Sequence, residues 1–217
     1  MAPLTPPPVL DYLSRLRREP HPRLAVIAEE GTAEGRAIVR PETGGLLHTL
    51  ARASGAQRIL EIGTSIGYST LWLATALPAD GMMITMEREA ALAGRARDHL
   101  AIAGFGSRVS VMVGDATRFL HKVAGPFDLI FQDSDKTLYQ AMHHRLVELL
   151  RPGGMLVADN ILWNGEVIPG YVTDKTHSDT STAAIAAFSR HLADDPRLYT
   201  SFLPVGDGIS VSVRRAS

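Results

Sequence analysis

The chain has 217 residues, of which 45% are hydrophobic and 21% charged, values ordinary for one globular domain. Lys plus Arg number 22 and Asp plus Glu 23, a balance that argues against a large sequence-independent affinity for nucleic acid. The absence of cysteine excludes disulfides, thiolate metal sites and a cysteine nucleophile. Residues 1–8 lack a signal-peptide layout, and no apolar run is long enough to span a membrane. We therefore expect a cytoplasmic protein without a membrane partner.

Three helical segments precede the first strand. Apolar periodicity predicts helices over residues 9–19 and about 23–34, and a third helix begins after Pro41. Prolines after residue 19 end the first of them. We expect a single domain in which residues 1–53 form an N-terminal helical extension and residues 54–217 form the core.

From residue 58 onward, short apolar runs alternate with helical periodicity. The predicted strands are 58–62, 82–86, 109–113, 127–132 and 155–158, and the helices that follow them are 68–77, 89–103, 116–123, 138–150 and 180–192. Strand–helix units in series predict a parallel sheet with helices on both faces. Two more apolar runs, 197–205 and 209–214, are joined by Gly206-Asp207-Gly208, which predicts a hairpin. We expect an α/β fold with a doubly wound, seven-stranded sheet whose last strand is antiparallel.

An acid and two glycines surround the turn after the first predicted strand. The order Glu61, Gly63, Gly67 departs from the dinucleotide fingerprint, because Ser65 stands where the middle glycine would be. A carboxylate here would repel pyrophosphate but accept hydrogen bonds from a cationic ligand. The alternative is a tight turn that simply needs small residues.

Acids also end the second and third predicted strands. Glu87 stands where an acid commonly binds ribose hydroxyls, and Asp115 follows the third strand, where an adenine edge could be held. Each acid alone is typical of a solvated loop. Because the carboxyl ends of parallel strands share one crevice, acids at successive ends favour a ligand site.

Oxygen-bearing side chains end the fourth and fifth predicted strands. Asp133 follows the fourth strand, and Asp159 and Asn160 follow the fifth. In a doubly wound sheet these strands lie beside the first one, so the three side chains should converge near the glycine turn. Two carboxylates and an amide oxygen are hard ligands suited to Mg²⁺ or a similar cation. The alternative is that Asp159-Asn160 caps the next segment and that Asp133 pairs with Lys136.

Several ordered motifs between residues 36 and 214 carry a family resemblance. They are LEIGTSIGYSTLWLA (60–74), GDA (114–116), FDLIFQDSDKTLY (127–139), RPGG (151–154), ADNILWNGEV (158–167) and GDGISVSVRR (206–215). With them the chain resembles the cation-dependent class I O-methyltransferases, the group of catechol and caffeoyl-coenzyme A O-methyltransferases and their bacterial relatives. The resemblance implies the Rossmann-like fold of class I methyltransferases, S-adenosylmethionine as cofactor, a divalent cation (Mg²⁺, with Mn²⁺ or Ca²⁺ as alternatives) and a homodimer.

The resemblance also assigns residues to roles. Cofactor contacts are implied for Ile38, Val39, Glu61, Gly63, Ser69, Glu87, Asp115, Ala116 and Asp133. The metal ligands would be Asp133, Asp159 and Asn160, and Lys136 would be the catalytic base. Trp163 is a hypothesis for the wall of the acceptor site. Gln132 and Ser134 depart from the family pattern, and Gln132 could alter the pocket beside the metal.

The implied reaction is an in-line transfer of the sulfonium methyl group to a hydroxyl oxygen of a vicinal diol such as a catechol. A nearby cation should make Lys136 lose its proton more easily. The segment 164–178 is polar and lacks periodicity, and with the N-terminal helices it would shape the acceptor pocket.

Three other functions compete with a small-molecule O-methyltransferase. Some bacterial relatives methylate a hydroxyuridine in transfer RNA, for which arginines at 15, 17, 18 and 23 could form a small basic patch. A nicotinamide-dependent oxidoreductase on a similar sheet is disfavoured by the missing middle glycine. A non-catalytic S-adenosylmethionine-binding module is disfavoured by the intact set of metal ligands and Lys136.

Overall fold

The structure is a computed structural model that describes residues 6–171 and 175–216. In this part of the chain the helices are α1 (Pro7–Leu16), α2 (Arg23–Ala33), α3 (Pro41–Ala53), α4 (Tyr68–Ala76), α5 (Ala90–Ile102), α6 (Ala116–Phe119), α7 (Tyr139–Leu149) and α8 (Asp179–Asp194). The strands are β1 (Arg58–Ile62), β2 (Met82–Glu87), β3 (Val109–Val113), β4 (Phe127–Gln132), β5 (Leu150–Asp159), β6 (Leu198–Leu203) and β7 (Ile209–Arg214). Short 3₁₀ turns cover Leu120–Lys122, Lys136–Leu138 and Trp163–Gly165.

The strands form one seven-stranded sheet in the order β3-β2-β1-β4-β5-β7-β6. The strands β1, β2, β3, β4 and β5 pair in parallel with their neighbours in this group, whereas β7 is antiparallel to both β5 and β6. This topology confirms the expected doubly wound sheet with an antiparallel last strand. The direction of winding reverses between β1 and β4, so their carboxyl ends border a crevice at which such sheets bind ligands.

Helices on both faces bury most of each central strand. On β1, Ile59 packs in the layer that contains Trp72 of α4, and Leu60 packs in the opposite layer with Phe188 of α8. Because each face of a parallel strand is covered, successive residues are apolar instead of alternating with polar ones. This double coverage is the reason that the strands appear in the sequence as continuous apolar runs.

The N-terminal helices differ in how far they join this core. Leu24 and Ile27 of α2 and Leu47 of α3 are completely buried, whereas α1 buries none of its residues. The exposed apolar side chains of α1 are Val9, Tyr12, Leu13 and Leu16. Homodimerisation, and the division of the chain at residue 53, stay predictions.

Several element boundaries differ from the sequence-based expectations. The first helix ends at Leu16 and not at residue 19, because Arg17 is extended with ψ of 141°. β5 begins at Leu150 and not at Met155, since Leu150 already pairs with Phe127 across a register shift. The segment expected as one helix over 116–123 divides into α6 and a 3₁₀ turn.

The polar segment 164–178 is described only in part. It begins within the 3₁₀ turn Trp163–Gly165, and residues 172–174 lie outside the described residues. Among the helices of the described ranges, none has the length and apolar character needed to cross a bilayer.

Candidate functional site

A cavity of about 720 Å³ lies at the carboxyl ends of the parallel strands. Its wall includes twelve of the residues predicted for the site: Ile38, Val39, Gly63, Ser69, Glu87, Asp115, Ala116, Asp133, Lys136, Asp159, Asn160 and Trp163. The expected ligand residues from five different strand ends therefore share one space. Glu61 is the exception.

The glycine turn after β1 packs closely against the end of β4. Gly63 has φ of 100°, and a Cβ atom placed on it would lie 1.9 Å from the carbonyl oxygen of Asp133. The main-chain amide of Asp133 in turn donates to the carbonyl oxygen of Ile62 at 2.8 Å. Only glycine allows both this backbone conformation and this approach. The turn thus brings Gly63 into direct contact with Asp133. We name the part of the cavity that Gly63, Ser69, Glu87 and Asp115 line the cofactor half, after the contacts predicted for these residues.

Two acids of the cofactor half are held by main-chain donors. Glu87 accepts at Oε2 from the amide of Ser65 (2.8 Å) and at Oε1 from the amide of Glu89 (2.9 Å). Asp115 accepts at Oδ1 from the amide and hydroxyl of Thr117, and these bonds hold its pKa below the usual value. A carboxylate offers about four acceptor positions, so both acids keep capacity for ligand donors.

Glu61 lies beneath the cavity and not on its wall. Its side chain is completely buried, and Oε2 accepts hydrogen bonds from Thr70 (2.5 Å) and Thr85 (2.6 Å). Oε1 has no hydrogen-bond partner among the described residues. Burial raises the pKa of Glu61 to about 7, although the bonds from the two threonines act in the opposite direction. This position does not support a direct contact with the cofactor, which stays a prediction.

Asp133, Asp159 and Asn160 all line the cavity at the ends of β4 and β5, and their role as a metal-binding set stays a prediction. Asp159 is 3% exposed, and its Oδ1 accepts from the main-chain amide of Asn160 at 2.7 Å. Burial, and then the nearby carboxylate of Asp133, raise the pKa of Asp159 to about 7. The site therefore concentrates buried negative charge, which a cation would neutralise.

Lys136 and Tyr139 lie directly beside these acids. Lys136 Nζ donates to Asp133 Oδ1 at 2.6 Å and to Tyr139 Oη at 2.9 Å, and Tyr139 Oη donates to the carbonyl oxygen of Gln132 at 3.0 Å. Burial lowers the pKa of Lys136, but Asp133 and Tyr139 outweigh this effect and hold the pKa above its usual value. The expectation that Lys136 loses its proton more easily refers to a nearby cation, and it stays a prediction.

The two departures from the family pattern occupy different places. Gln132 is completely buried beneath the cavity, with Nε2 3.3 Å from the carbonyl oxygen of Tyr139, and does not belong to the cavity wall. Ser134 lines the cavity, and its buried Oγ contacts no hydrogen-bond partner in the described ranges. Ser134 therefore offers a polar atom to a ligand, whereas Gln132 does not.

The part of the cavity that Trp163 and His177 line, which we name the acceptor half after the role predicted for Trp163, has an aromatic wall. Trp163, at φ of 49°, stacks on His177 with ring centroids 3.8 Å apart and an interplanar angle of 29°. Glu166 accepts at Oε1 from His177 Nδ1 (2.9 Å) and from the amide of Thr176 (2.8 Å). Burial raises the pKa of Glu166, but the donors from Thr176 and His177 prevail and lower it to about 2. A charged, buried glutamate thus anchors the segment that carries His177.

Comparison with known proteins identifies the family. A family model described as O-methyltransferase matches residues 23–215. The chain belongs to the O-methyltransferase family. A catechol O-methyltransferase of Niastella koreensis is 41% identical over 134 residues, which cover 60% of this chain but only 61% of that relative's length.

Solved O-methyltransferases share the whole fold of the chain. The structure of TomG from Streptomyces achromogenes, involved in tomaymycin synthesis and solved in complex with SAM, has a TM-score of 0.84 and 31% identity and covers 94% of this chain and 95% of that one. An O-methyltransferase from Bacillus cereus in complex with SAH has a TM-score of 0.83 and 31% identity, with coverage of 94% and 96%. These findings confirm the resemblance carried by the motifs and overturn the nicotinamide-dependent alternative.

Three polar residues of this O-methyltransferase were not predicted for the site. Tyr139 stands inside a motif that carries the resemblance, and Asp207 stands between two glycines of the predicted hairpin. Both had a sequence signal, but neither signal indicated a contact with the site. His177 had no signal, because it is separated from Trp163 by a segment without periodicity.

A second cluster of polar residues in this methyltransferase lies away from the cavity. His143, His191 and Asp195 bring ligand-type atoms within 4.8 Å of one another. Arg197, however, donates to both oxygens of Asp195, and His143 Nε2 contacts Asp195 Oδ2 at 2.7 Å. The carboxylate therefore already has a cationic partner, and we interpret the cluster as a structural link between α7 and the start of β6.

Proposed function

We propose that this chain is an S-adenosylmethionine-dependent O-methyltransferase that acts on a vicinal diol of the catechol type and uses a divalent cation. The observation that carries the proposal is the single cavity that joins the glycine turn at Gly63 to Asp133, Asp159 and Asn160. TomG is in complex with SAM and the Bacillus cereus relative with SAH, and the Niastella koreensis relative is a catechol O-methyltransferase. These relatives support the cofactor and the acceptor class.

The cofactor half offers a partner for each polar part of S-adenosylmethionine. α4 begins after Gly67 without a side-chain cap, so its first amides are available to the cofactor carboxylate. Gly63 and Ser69 would border the methionine part, and Glu87 would accept from the ribose hydroxyls. Asp115 and Ala116 would hold the adenine, and Ile38 and Val39 would close over it. Tyr68 Oη also lines this half, buried and without a partner among the described atoms, so it too is available to the ligand.

The residues at the acidic side fit a divalent cation. Two carboxylates and one amide oxygen are the hard donors that Mg²⁺ and Mn²⁺ prefer. Burial, and then the negative charge of Asp133, raise the pKa of Asp159, although the neighbouring Lys136 acts in the opposite direction. When bound, the cation would supply positive charge that favours the deprotonated form of an acceptor hydroxyl.

Lys136 would accept the proton of the acceptor hydroxyl. Its raised pKa depends on Asp133, which provides both the charge and a hydrogen bond. If Asp133 is engaged in holding a cation, this stabilisation of the ammonium group weakens and the pKa of Lys136 falls. Tyr139 keeps Nζ at the cavity throughout, because its hydroxyl is fixed by the carbonyl oxygen of Gln132.

The proposal is tested by calorimetry and by steady-state kinetics on the purified chain. We expect S-adenosylmethionine to bind and NAD not to bind, and methyl transfer to small catechols to require Mg²⁺, Mn²⁺ or Ca²⁺ and to stop with a chelator. Asp159→Ala should abolish most turnover, because positioning contributes about 7–11 kcal/mol to such reactions. Lys136→Ala should lose about 10²–10⁴-fold and keep residual turnover.

Two outcomes contradict parts of the proposal. Equal activity of Asp159→Ala and the unchanged chain at saturating metal would remove the cation from the reaction. If the chain methylated bulk transfer RNA but not small catechols, transfer RNA would replace the catechol as the proposed acceptor, and the proposed cofactor would stay the same.

A further inference from the structure

The turn between β6 and β7 packs directly on the segment that carries Asn160. The main-chain amide of Ile161 donates to the carbonyl oxygen of Gly208 at 3.1 Å, and that of Leu162 donates to the carbonyl oxygen of Asp207 at 3.0 Å. These two bonds fix the register between the turn and the residues that follow β5. The turn is therefore a part of the wall of the candidate site and not only a connection between two strands.

The position of this turn is also fixed by close packing. A Cβ atom on Gly208 would lie 2.5 Å from Leu162 Cγ, and one on Gly206 would lie 2.4 Å from Thr43 Oγ1. Both glycines have positive φ, of 86° and 61°. The turn thus has no room to shift between α3 and the segment 160–164, and the side chain of Asp207 is held at a defined place.

Asp207 uses its two carboxylate oxygens on two different residues of that segment. Oδ1 accepts from the main-chain amide of Asn164 at 2.6 Å, and Oδ2 accepts from Asn160 Nδ2 at 3.1 Å. A carboxylate accepts hydrogen bonds and does not donate them, so the amide nitrogen of Asn160 must face Asp207. The remaining atom of that amide, the carbonyl oxygen Oδ1, is then the one available to the cavity that Asn160 lines.

We infer that Asp207 is a positioning residue that orients the amide of Asn160 and presents its oxygen to the divalent cation. The inference rests on the proposed function, because it assigns a second layer of support to one of the proposed ligands. Asn160 itself needs this support, since its φ of 61° places it in a strained backbone region. Residues that orient metal ligands typically change metal affinity about 10–100-fold when they are removed.

The test measures Mn²⁺ affinity directly on the full chain, by titration followed with the electron paramagnetic resonance signal of free Mn²⁺. We expect Asp207→Ala to weaken Mn²⁺ binding about 10–100-fold. Asp207→Asn keeps one acceptor and should give an intermediate loss. In an Asn160→Ala background, the further change Asp207→Ala should alter Mn²⁺ affinity by no more than about twofold, because its target is gone.

Two controls separate positioning from damage to the fold. Calorimetric affinity for S-adenosylhomocysteine should stay within about twofold of the unchanged chain in Asp207→Ala and Asp207→Asn, since the cofactor half does not depend on this contact. Glu89→Gln neutralises an exposed acid of the same cavity and should leave Mn²⁺ affinity unchanged.

The outcomes distinguish this inference from the function on which it rests. Unchanged Mn²⁺ affinity in Asp207→Ala, or an undiminished effect in the Asn160→Ala background, overturns the positioning role alone. A loss of S-adenosylhomocysteine affinity in both Asp207 variants equal to the loss of Mn²⁺ affinity also overturns it, in favour of general support of the fold. Failure of the unchanged chain to bind Mn²⁺ overturns the proposed metal site, and the inference with it.

Discussion

One buried glutamate lies beneath the cofactor half of the cavity and another supports the acceptor half, and the pKa values of the two carboxyl groups are shifted in opposite directions. Beneath the cofactor half, burial raises the pKa of Glu61 to about 7, although hydroxyl donors such as Thr70 and Thr85 act in the opposite direction. In the acceptor half, Glu166 is 6% exposed, yet its pKa is lowered to about 2. Burial disfavours the charge of both groups, and the donors around them contribute to the difference.

The donors help to explain why the pKa of Glu166 is lowered and that of Glu61 is raised. Glu166 accepts at Oε1 from main-chain amides, a hydroxyl and an imidazole of residues 176 and 177, and at Oε2 from the hydroxyl of Thr182. Glu61 leaves Oε1 without a described partner, and the charge of Asp133 also disfavours its ionised form. The arrangement of the cofactor half thus depends on the close backbone packing at Gly63, whereas that of the acceptor half depends on the charged side chain of Glu166.

The largest expected effect concerns the backbone packing of the cofactor half. Gly63→Ala should destabilise the fold by about 4 kcal/mol, because it adds a side chain at positive φ and overpacks a closed site. Its Cβ would stand 1.9 Å from the carbonyl oxygen of Asp133. Urea unfolding measures the loss, and S-adenosylmethionine affinity should fall with it.

Gly94→Ala is the matched control for that change. Gly94 lies within α5, and a Cβ atom there would meet no described atom within 4 Å. Alanine should therefore stabilise this helix by about 0.5–1 kcal/mol. Equal stability of the two variants would disprove the claim that close backbone approach builds the cofactor half.

The second effect is a pH dependence that comes from Glu61. Its folded pKa of about 7 exceeds the ordinary value of 4.5, so between these values the folded chain binds more protons than the unfolded chain. The free energy of unfolding should therefore fall by about 3 kcal/mol as the pH rises from 4.5 to 7. In Glu61→Gln this pH-dependent contribution disappears. The free energy of unfolding of the variant, relative to that of the unchanged chain, should therefore increase as the pH rises. Urea unfolding of both chains at pH 5 and pH 8 checks the sign of this pH dependence.

The third effect is the reverse dependence at Glu166. Its folded pKa of about 2 lies below 4.5, so its contribution is present above pH 4.5 and is lost as the pH falls toward 2. Hydrogen bonds to a charged group contribute about 1.5–3 kcal/mol, so Glu166→Gln should cost about 2 kcal/mol at pH 7 and progressively less in acid. If the difference between the two chains grew in acid, the charged state assigned to Glu166 would be wrong.

The predictable parts of the fold are those in which local pattern and tertiary environment agree. The apolar runs of β1 and β4 could be predicted because both faces of these strands are buried. The same double burial hides which face a polar residue occupies, so the sequence could not indicate that Glu61 points to Thr70 and Thr85 and not to the cavity. The start of β5 at Leu150 depends on pairing with Phe127, a contact distant in sequence.

In the candidate site, too, the predictable residues are those whose position follows from the strand pattern. Asp133, Asp159 and Asn160 could be predicted to meet, because strand topology alone brings the carboxyl ends of β4 and β5 together. Asp207 and His177 could not, since each reaches the site through a turn or a loop whose path no periodic pattern defines. The acceptor half therefore contains the contacts that only the structure reveals.

The smallest expected effect concerns the aromatic wall of that half. Trp163→Ala should raise the KM for a catechol about fivefold, because an aromatic pair contributes about 0.5–1.5 kcal/mol beyond the area it buries. The Kd for S-adenosylmethionine should not change, since Trp163 stacks on His177 and not on the glycine turn. Trp163→Phe keeps a ring at this place and should recover most of the affinity, whereas His177→Ala removes the second ring and should resemble Trp163→Ala. Steady-state kinetics with the cofactor saturating measures all three, and an unchanged catechol KM in Trp163→Ala would mean that the acceptor binds elsewhere in the cavity.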